Sequence, residues 1–365
     1  MSQLKKRWII AKRIPPEVDE NLRCYNPIFR QILFNRGYRT KESAERFLEA
    51  SQPQGTEPEK MLGIKEASDR VIRAISDHER IAIYGDYDAD GITATALLAK
   101  FLRSLDADVI PYIPNRFEEG YGLRKDALQN LHKEGIRLVI TVDCGIRSIA
   151  EAEFAREINL DLIISDHHSP FNELPPANAI INPKQPGDSY AQKDLAGVGL
   201  AYKLACAIAG YANVISPPED TWNDPRNPNH YLDLVALGTV ADLAPLTGEN
   251  RSLVKRGIDQ LKNPHNQGIL SLINASGINP VALNAYHIGF ILGPRLNAAG
   301  RLDTAMTSVS LLLSDDVQQT GKLAQYLDDQ NRERQEMTRQ IQKQAEEVCQ
   351  PIERDSYLLF AYHKD

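Results

Sequence analysis

The chain has 365 residues, 42% hydrophobic and 25% charged, close to folded globular proteins, which excludes a chain dominated by disorder and leaves room for two domains at about 100–200 residues each. No apolar run approaches the roughly 20 residues of a membrane helix. The start, MSQLKKRWIIAKRIPP, has too few apolar residues after its basic cluster for a signal peptide, so a cytoplasmic protein without a membrane partner is expected. Lysine and arginine total 42 against 49 aspartate and glutamate, a formal charge of −7, and this balance gives no overall basic footprint for nucleic acid.

The first elements in chain order are helices over residues 26–50, where Phe29, Ile32, Leu33 and Phe34 recur before an Arg36-Gly37 break and Thr40 caps the stretch with Ala44, Phe47 and Leu48. SQPQGTEPEK then marks a boundary. Beyond it, IAIYG (81–85), VIPYI (109–113), LVITV (138–142) and LIISD (162–166) alternate with helical periods near 92–105, 124–134 and 148–157. Strands apolar on both faces and spaced by helices predict a doubly wound α/β fold with a mainly parallel sheet. Ligands in such sheets bind at the carboxyl ends of the strands. Residues 215–230 read as a surface loop, YLDLVALGTVADLAPL (231–246) as helix, and 250–315 as mainly helical. From 316 to about 350 Met337, Ile341, Ala345 and Val348 recur at helical spacing, which predicts one long connector helix of roughly 50 Å. SYLLFAYHKD (356–365) is strand-like. Cys24, Cys144, Cys206 and Cys349 are widely separated, which fits reduced thiols and neither a disulfide scaffold nor a zinc site.

The sharpest feature is Gly85-Asp86-Tyr87-Asp88-Ala89-Asp90-Gly91, with carboxylates at every second position directly after a strand. On extended backbone alternate residues share a face, and like charges so close repel unless a cation neutralises them. An EF-hand loop is excluded, because its twelfth position must be Glu and here is Leu97. A second reading has Asp90 as the N-cap of a helix starting near Ile92. Asp143 ends the third strand, Asp166-His167-His168 the fourth, and Asp242 follows in Gly238-Thr239-Val240-Ala241-Asp242. Oxygen donors with a few imidazoles suit Mn²⁺ or Mg²⁺, and two such ions about 3.5–4 Å apart can clamp both oxygens of a phosphoryl displacement.

The runs GDYDADG, VDCG, SDHH and GTVADLAPL resemble the DHH phosphoesterase superfamily, named for the triplet seen here as Asp166-His167-His168. YIPNRFEEGYGL (112–123), LAGVGLAYKL (195–204), GPRLNAAGRLDTA (293–305) and, at the start, Trp8 with LFNRGYRTKESAERFL (33–48) are similar to the RecJ branch. The resemblance implies metal ligation by Asp88, Asp90, Asp143, His167 and Asp242, with Asp86 as a further carboxylate and Asp143 bridging two divalent cations, Mn²⁺ or Mg²⁺. It implies that His168 faces the scissile phosphate and that Asp166 orients the neighbouring imidazole. Arg116, Tyr121, Arg124, Gly197, Gly199, Arg295, Asn297 and Arg301 fall in the RecJ-like segments as substrate-binding candidates, and Tyr112 and Tyr121 as base-stacking ones. Packing roles stand beside these readings.

The implied activity is 5′→3′ hydrolysis of single-stranded DNA to mononucleotides in repair and recombination, with a single-strand-binding protein and a helicase as partners. Degradation of short oligoribonucleotides or cyclic dinucleotides is the alternative enzyme reading, and a non-catalytic replication scaffold the alternative of another class. The organisation expected is an N-terminal helical region (1–52), a DHH catalytic domain (53–248), its helical extension (249–315), the connector helix (316–350) and the start of a truncated DHH-associated domain (351–365).

Overall fold

A computed structural model describes residues 8–116, 120, 122–212, 223–302 and 304–349, with the backbone alone at 301 and 302. The chain divides into two compact units, one drawn from the segments up to Ser51 and from Arg332 onward, the other comprising Gln52–Asn331. In the first, α1 (Pro16–Asn21), α2 (Pro27–Asn35) and α3 (Lys41–Glu49) bury Val18, Leu22, Leu33 and Ala44 against one another. The Asn26 side chain accepts from the Phe29 N–H and the Thr40 hydroxyl from the Ser43 N–H, so both later helices start on a side-chain cap. The six-residue α1 is too short to show a helical period, and the sequence did not reveal it.

The second unit is built on a parallel sheet, β1 (Arg80–Gly85), β2 (Val109–Tyr112), β3 (Ile136–Val142), β4 (Asp161–Ser165) and β5 (Ala179–Ile181), in the order β2-β1-β3-β4-β5. Side chains alternate between two cores: Ile81, Ile83, Leu138 and Ile140 point to one face, Ala82, Tyr84, Val139 and Ile164 to the other. The first face is covered by α4 (Ile64–Ser76), α5 (Ala89–Arg103) and α8 (Gly197–Tyr211), and the second by α6 (Lys125–Lys133) and α7 (Ile149–Glu157). This is the expected doubly wound α/β architecture. Helices α4 and α8 and the three-residue β5 were not anticipated; β5 is too short for a recognisable run and exists by pairing with β4.

Helix α9 (Leu232–Ala241), buried almost all round, packs on α5 and α8, and α10 (Gly248–Leu261) packs on α9. There follow α11 (Gln267–Ala275), the short α12 (Ala285–His287), a π turn over Ile288–Leu292, α13 (Gly293–Leu302) and α14 (Met306–Leu313), all within the second unit. Helix α15 runs over Val317–Val348, about 48 Å at ~1.5 Å per residue. Its first half buries Ala324, Leu327 and Asp328, whereas Met337, Ile341 and Val348 are exposed. The strand-like run at 356–365 and residues 215–222 of the loop anticipated at 215–230 lie outside the described residues.

The strand order reverses between β1 and β3: from β1 the chain passes to β2 on one side, and β3 then pairs on the other. At such a switch point the connections leave to opposite sides and open a crevice at the strand carboxyl ends. Asp86–Asp90 leave β1 and Asp143 leaves β3, so the acidic residues flank this crevice.

Candidate metal centre

The sequence reading of three carboxylates on one extended face is corrected in detail. β1 stops at Gly85 and α5 begins at Ala89, so Asp90 sits in the first helical turn. The N-cap is Asp88, not Asp90: one Asp88 oxygen accepts from the N–H groups of Asp90 (2.9 Å) and Gly91 (3.1 Å). Capping and metal ligation are compatible in Asp88, because a carboxylate offers about four lone-pair sites. Gly91 permits this tight entry, since a Cβ there would come within 2.4 Å of the Asp86 carbonyl oxygen.

Asp90 is held from across the unit. The N–H groups of Gly197 and Val198, at the start of α8, donate to its two oxygens at 2.6 and 2.8 Å. A Cβ on Gly197 would lie 2.7 Å from the Asp143 Cβ. Gly197 and Gly199 are buried, with Gly199 against Leu195, which matches the packing role that stood beside substrate contact in the sequence reading. Asp143 itself adopts φ +64°, a left-handed conformation that Asp tolerates better than most residues.

The donor atoms form three groups, each within 4.8 Å: Asp86, Asp88 and Asp143; Asp143, His167 and His168; Asp90, His167 and Asp242. Asp143 and His167 each belong to two groups, and the His167 Nε2 lies 3.1 Å from Asp143 Oδ1 and 3.9 Å from Asp90 and Asp242. Burial and the neighbouring Asp88 push Asp86 up to about 7, and burial and Asp88 push Asp242 up to about 6. Burial, then Asp242 for Asp90 and Asp90 for Asp143, holds both of these carboxyls well above the ordinary range. His167 is pulled down to about 4 by burial and by His168, so its nitrogen lone pair is available at neutral pH. Asp86 Oδ1, Asp143 Oδ1 and His167 Nε2 are buried without a hydrogen-bond partner among the described residues. Buried polar atoms are rarely left so, and their unused lone pairs converge. The donor set therefore fits divalent cations that favour oxygen with some nitrogen.

His168 is arranged differently. Its Nδ1 lies 2.8 Å from Asp166 Oδ1, and Asp166 also accepts from the N–H groups of His168 and Ile146. The hydrogen bond to Asp166 raises the imidazole pKa. Burial works to raise the Asp166 carboxyl, but the His168 and backbone hydrogen bonds outweigh it and hold it low. With Nδ1 engaged, Nε2 is the nitrogen left to meet a ligand. His168 lines a pocket of about 360 Å³ with Arg124, Arg147 and Ser148.

Of the other anticipated substrate contacts, Arg116 is exposed and its guanidinium lies 4.8 Å from the Tyr87 ring centre, beside the acidic loop. Arg295 is placed elsewhere: it pairs with buried Asp328 at 2.7 Å and donates to the Ile291 carbonyl, so it braces α13 against α15. The Asn297 side chain accepts from the Ala89 N–H at 2.7 Å and steadies the acidic loop instead of facing outward. Tyr112 packs on Tyr84 with ring centres 5.1 Å apart, a core role. Tyr121 and the Arg301 side chain lie outside the described residues.

Sequence reasoning missed Lys184, whose charge acts on both His167 and Asp242. It also missed Asn182, whose amide donates to the His168 carbonyl at 2.9 Å, and Arg147. Only Arg147 had a sequence signal, lying three residues beyond Cys144 in the VDCG run.

A family model described as the DHH family, N-terminal domain, matches residues 80–239. The single-stranded-DNA-specific exonuclease RecJ of Bacillus subtilis is 42% identical over 96% of this chain and 42% of its own length. A crystal structure of exonuclease RecJ bound to manganese superposes with a TM-score of 0.69 at 36% identity, covering 78% of this chain and 70% of that one. The chain belongs to the DHH family, in its RecJ branch. RecJ from Thermus thermophilus in complex with Mn²⁺ gives a TM-score of 0.77 at 32% identity, over 93% of this chain and 48% of that one. Its Mg²⁺ complex gives 0.67 at 29%, over 92% and 44%. The chain thus spans about half the length of the RecJ relatives it matches. Within the DHH family match fall all the converging donors except Asp242, three residues beyond it.

Proposed function

We propose that this chain carries the catalytic centre of a metal-dependent 5′→3′ exonuclease that hydrolyses single-stranded DNA to mononucleotides in DNA repair and recombination. The observation that carries the reading is the convergence of buried, unsatisfied carboxylate and imidazole atoms at the switch point of a RecJ-branch sheet. The RecJ relatives named above are single-stranded-DNA-specific exonucleases, and two of their structures hold manganese. Asp86, Asp88 and Asp143 would hold one Mn²⁺ or Mg²⁺ ion and Asp90, His167 and Asp242 a second, with Asp143 the residue that could serve both. When bound, the cations supply positive charge that polarises a phosphodiester and makes water acidic enough to react near neutral pH.

The chain's own groups do the rest. The α8 N–H groups hold Asp90 in one orientation, and Asn297 holds the start of α5, so the ligand cage is set before any ion arrives. Asp166 keeps the proton of His168 on Nδ1 and presents Nε2 to the phosphate, where it stabilises charge or assists the leaving oxygen. Arg124 and Arg147, lining the same pocket, pair with phosphate oxygens, since a guanidinium grips a phosphate by two hydrogen bonds. Arg116 stands beside the acidic loop for the same purpose.

Action in the cytoplasm is part of the proposal, and cysteines that form no disulfide among the described residues accord with it. No described helix is long and apolar enough to cross a membrane. A single-strand-binding protein and a helicase are the partners proposed with it. The test is degradation of 5′- and 3′-labelled single strands with each metal. Mononucleotide release from the 5′ end, abolished in Asp143→Asn, is expected. A preference for dinucleotides would move the reading to a short-oligonucleotide phosphodiesterase, and a chain that binds no Mn²⁺ in calorimetry would be a scaffold.

A further inference from the structure

We propose that the groove along α10, together with the exposed aromatic pair Tyr286 and Phe290, is a track for single-stranded nucleic acid that continues away from the metal centre. The inference deepens the nuclease reading above and rests on it for the identity of the strand.

The groove has a volume of about 370 Å³ and lies between α10 and the segment around Leu283–Ala285. Its floor is apolar, with Leu246, Val254 and Ile258, and its wall carries Arg251, Lys255 and Lys262, the last paired with Asp259, the single carboxylate of the groove, at 2.8 Å. Arg251 and Lys255, four residues apart, share one face of α10, and Lys262, seven further on, caps its end, so the three spread along about 16 Å. A chain with a formal charge of −7 thus gathers three cations along one groove. That is complementary to a phosphate backbone, and it is the local signal that the net charge concealed.

At the groove's end the rings of Tyr286 and Phe290 stack at 4.9 Å. They remain 62% and 69% exposed, respectively. Two adjacent rings left in water make an exposed apolar patch of the kind that marks an interaction site, and an outward aromatic face is what an unpaired base stacks on, whatever its sequence. The π turn that carries Phe290 is pressed onto the last turn of α9: a Cβ on Gly289 would sit 3.7 Å from Val240 and one on Gly293 3.1 Å from Ala241. The next residue in α9's line is Asp242, the proposed ligand. Immediately after it Leu243 is held at φ +60° with 84% of its surface exposed, an apolar side chain kept in water by a conformation that disfavours it. Leu246, four residues past Asp242, begins the groove floor. Metal centre, apolar lip and groove floor therefore follow one another along the chain, and the π turn that carries Phe290 is packed on the same end of α9. A strand whose scissile phosphate sits at the metals has base-stacking and phosphate-binding groups waiting along this course.

The experiment is anisotropy of labelled single strands on the chain with Ca²⁺, compared between a dinucleotide and a strand of about 12 nucleotides, within the site sizes of known single-strand grooves. Phe290→Ala and the Lys255→Gln/Lys262→Gln pair are expected to weaken binding of the longer strand about tenfold each, while the ratio of affinities for long over short strands collapses. The lysine pair is expected to lower the slope of log affinity against log salt by about 1–2. Phe290→Trp restores the affinity if stacking is the cause. Unchanged affinity and salt slope, in variants with the parent's thermal midpoint, overturn the track and assign the face to a protein partner. Failure of the nuclease reading is seen separately, as a parent chain that binds no Mn²⁺ and hydrolyses no strand.

Discussion

Two regions of the second unit bury charge, and they solve the problem in opposite ways. In one, Lys203 forms an ion pair with Glu249, both side chains almost fully buried. The Glu249 carboxylate also accepts from the Tyr190 hydroxyl (2.5 Å) and the Gln52 amide (2.9 Å), and Lys203 donates to the Thr56 carbonyl (2.6 Å). Every charge there has a counter-charge from the chain. In the other, Asp86, Asp90 and Asp143 are equally buried, yet among the described residues no lysine or arginine lies within ion-pair distance of them. A buried charge without a partner costs several kcal/mol or loses its charge. The first cluster is complete as folded and fastens residues 52–56 to α8 and α10. The second is incomplete as folded, and its counter-charge has to come from solvent as cations.

The contrast can be broken or sharpened by experiment. The largest effect is expected from Asp143→Asn, which keeps the side chain's shape and tolerates the left-handed backbone. Hydrolysis of single strands is expected to fall by more than the ~10–100-fold typical of groups that only support a metal ligand, while the metal-free variant melts higher than the metal-free parent. A metal-free variant that melts lower would show the carboxylate is not an unrelieved charge. Glu249→Gln, by contrast, strands Lys203 in the core and is expected to cost about 3–5 kcal/mol in denaturant unfolding, with activity per folded molecule retained. A change within ±0.5 kcal/mol, the range of surface substitutions, would remove the distinction between the regions.

Asp166→Asn is expected to lower turnover ~10–100-fold without abolishing metal binding, and to shift the activity profile because the His168 pKa is no longer raised; an unmoved profile would leave Asp166 a structural residue only. The smallest effect is a pH dependence of stability. Asp86 and Asp242 have folded pKa values of about 7 and about 6, above the ordinary carboxyl range, so between about pH 4 and 7 the native state holds protons that the unfolded chain has released. Stability of the metal-free protein therefore falls as pH rises through that window. Mn²⁺, which binds the deprotonated groups, is expected to raise the melting temperature more at pH 8 than at pH 5.5. Equal shifts at both pH values would detach the cluster from the metal.

Local patterns made much of this legible. Short β-branched runs separated by helical periods are sufficient for a parallel α/β sheet, because both faces must be apolar to be covered. Aspartates immediately after those runs fall at the strand carboxyl ends by connectivity alone, so Asp86, Asp88, Asp90, Asp143 and the Asp166-His167-His168 triplet could be grouped before any fold was seen. The long helix over 317–348 was equally visible, since it lacks Pro and has Gly only at 321.

Other roles depended on partners far along the chain. Nothing local distinguishes Arg295 from Arg124, yet a partner 33 residues away makes one a brace, and the fold makes the other a pocket wall. Gly197 reads from the sequence equally as a substrate contact or a packing position, and its N–H is engaged by Asp90, 107 residues away. The sequence alone determined which carboxylates and imidazoles follow the strand ends and so are candidates to hold a metal. The tertiary structure alone decided which carboxylates are buried without a counter-charge. Desolvation and pairing depend on what the fold brings within a few ångströms, not on sequence neighbours.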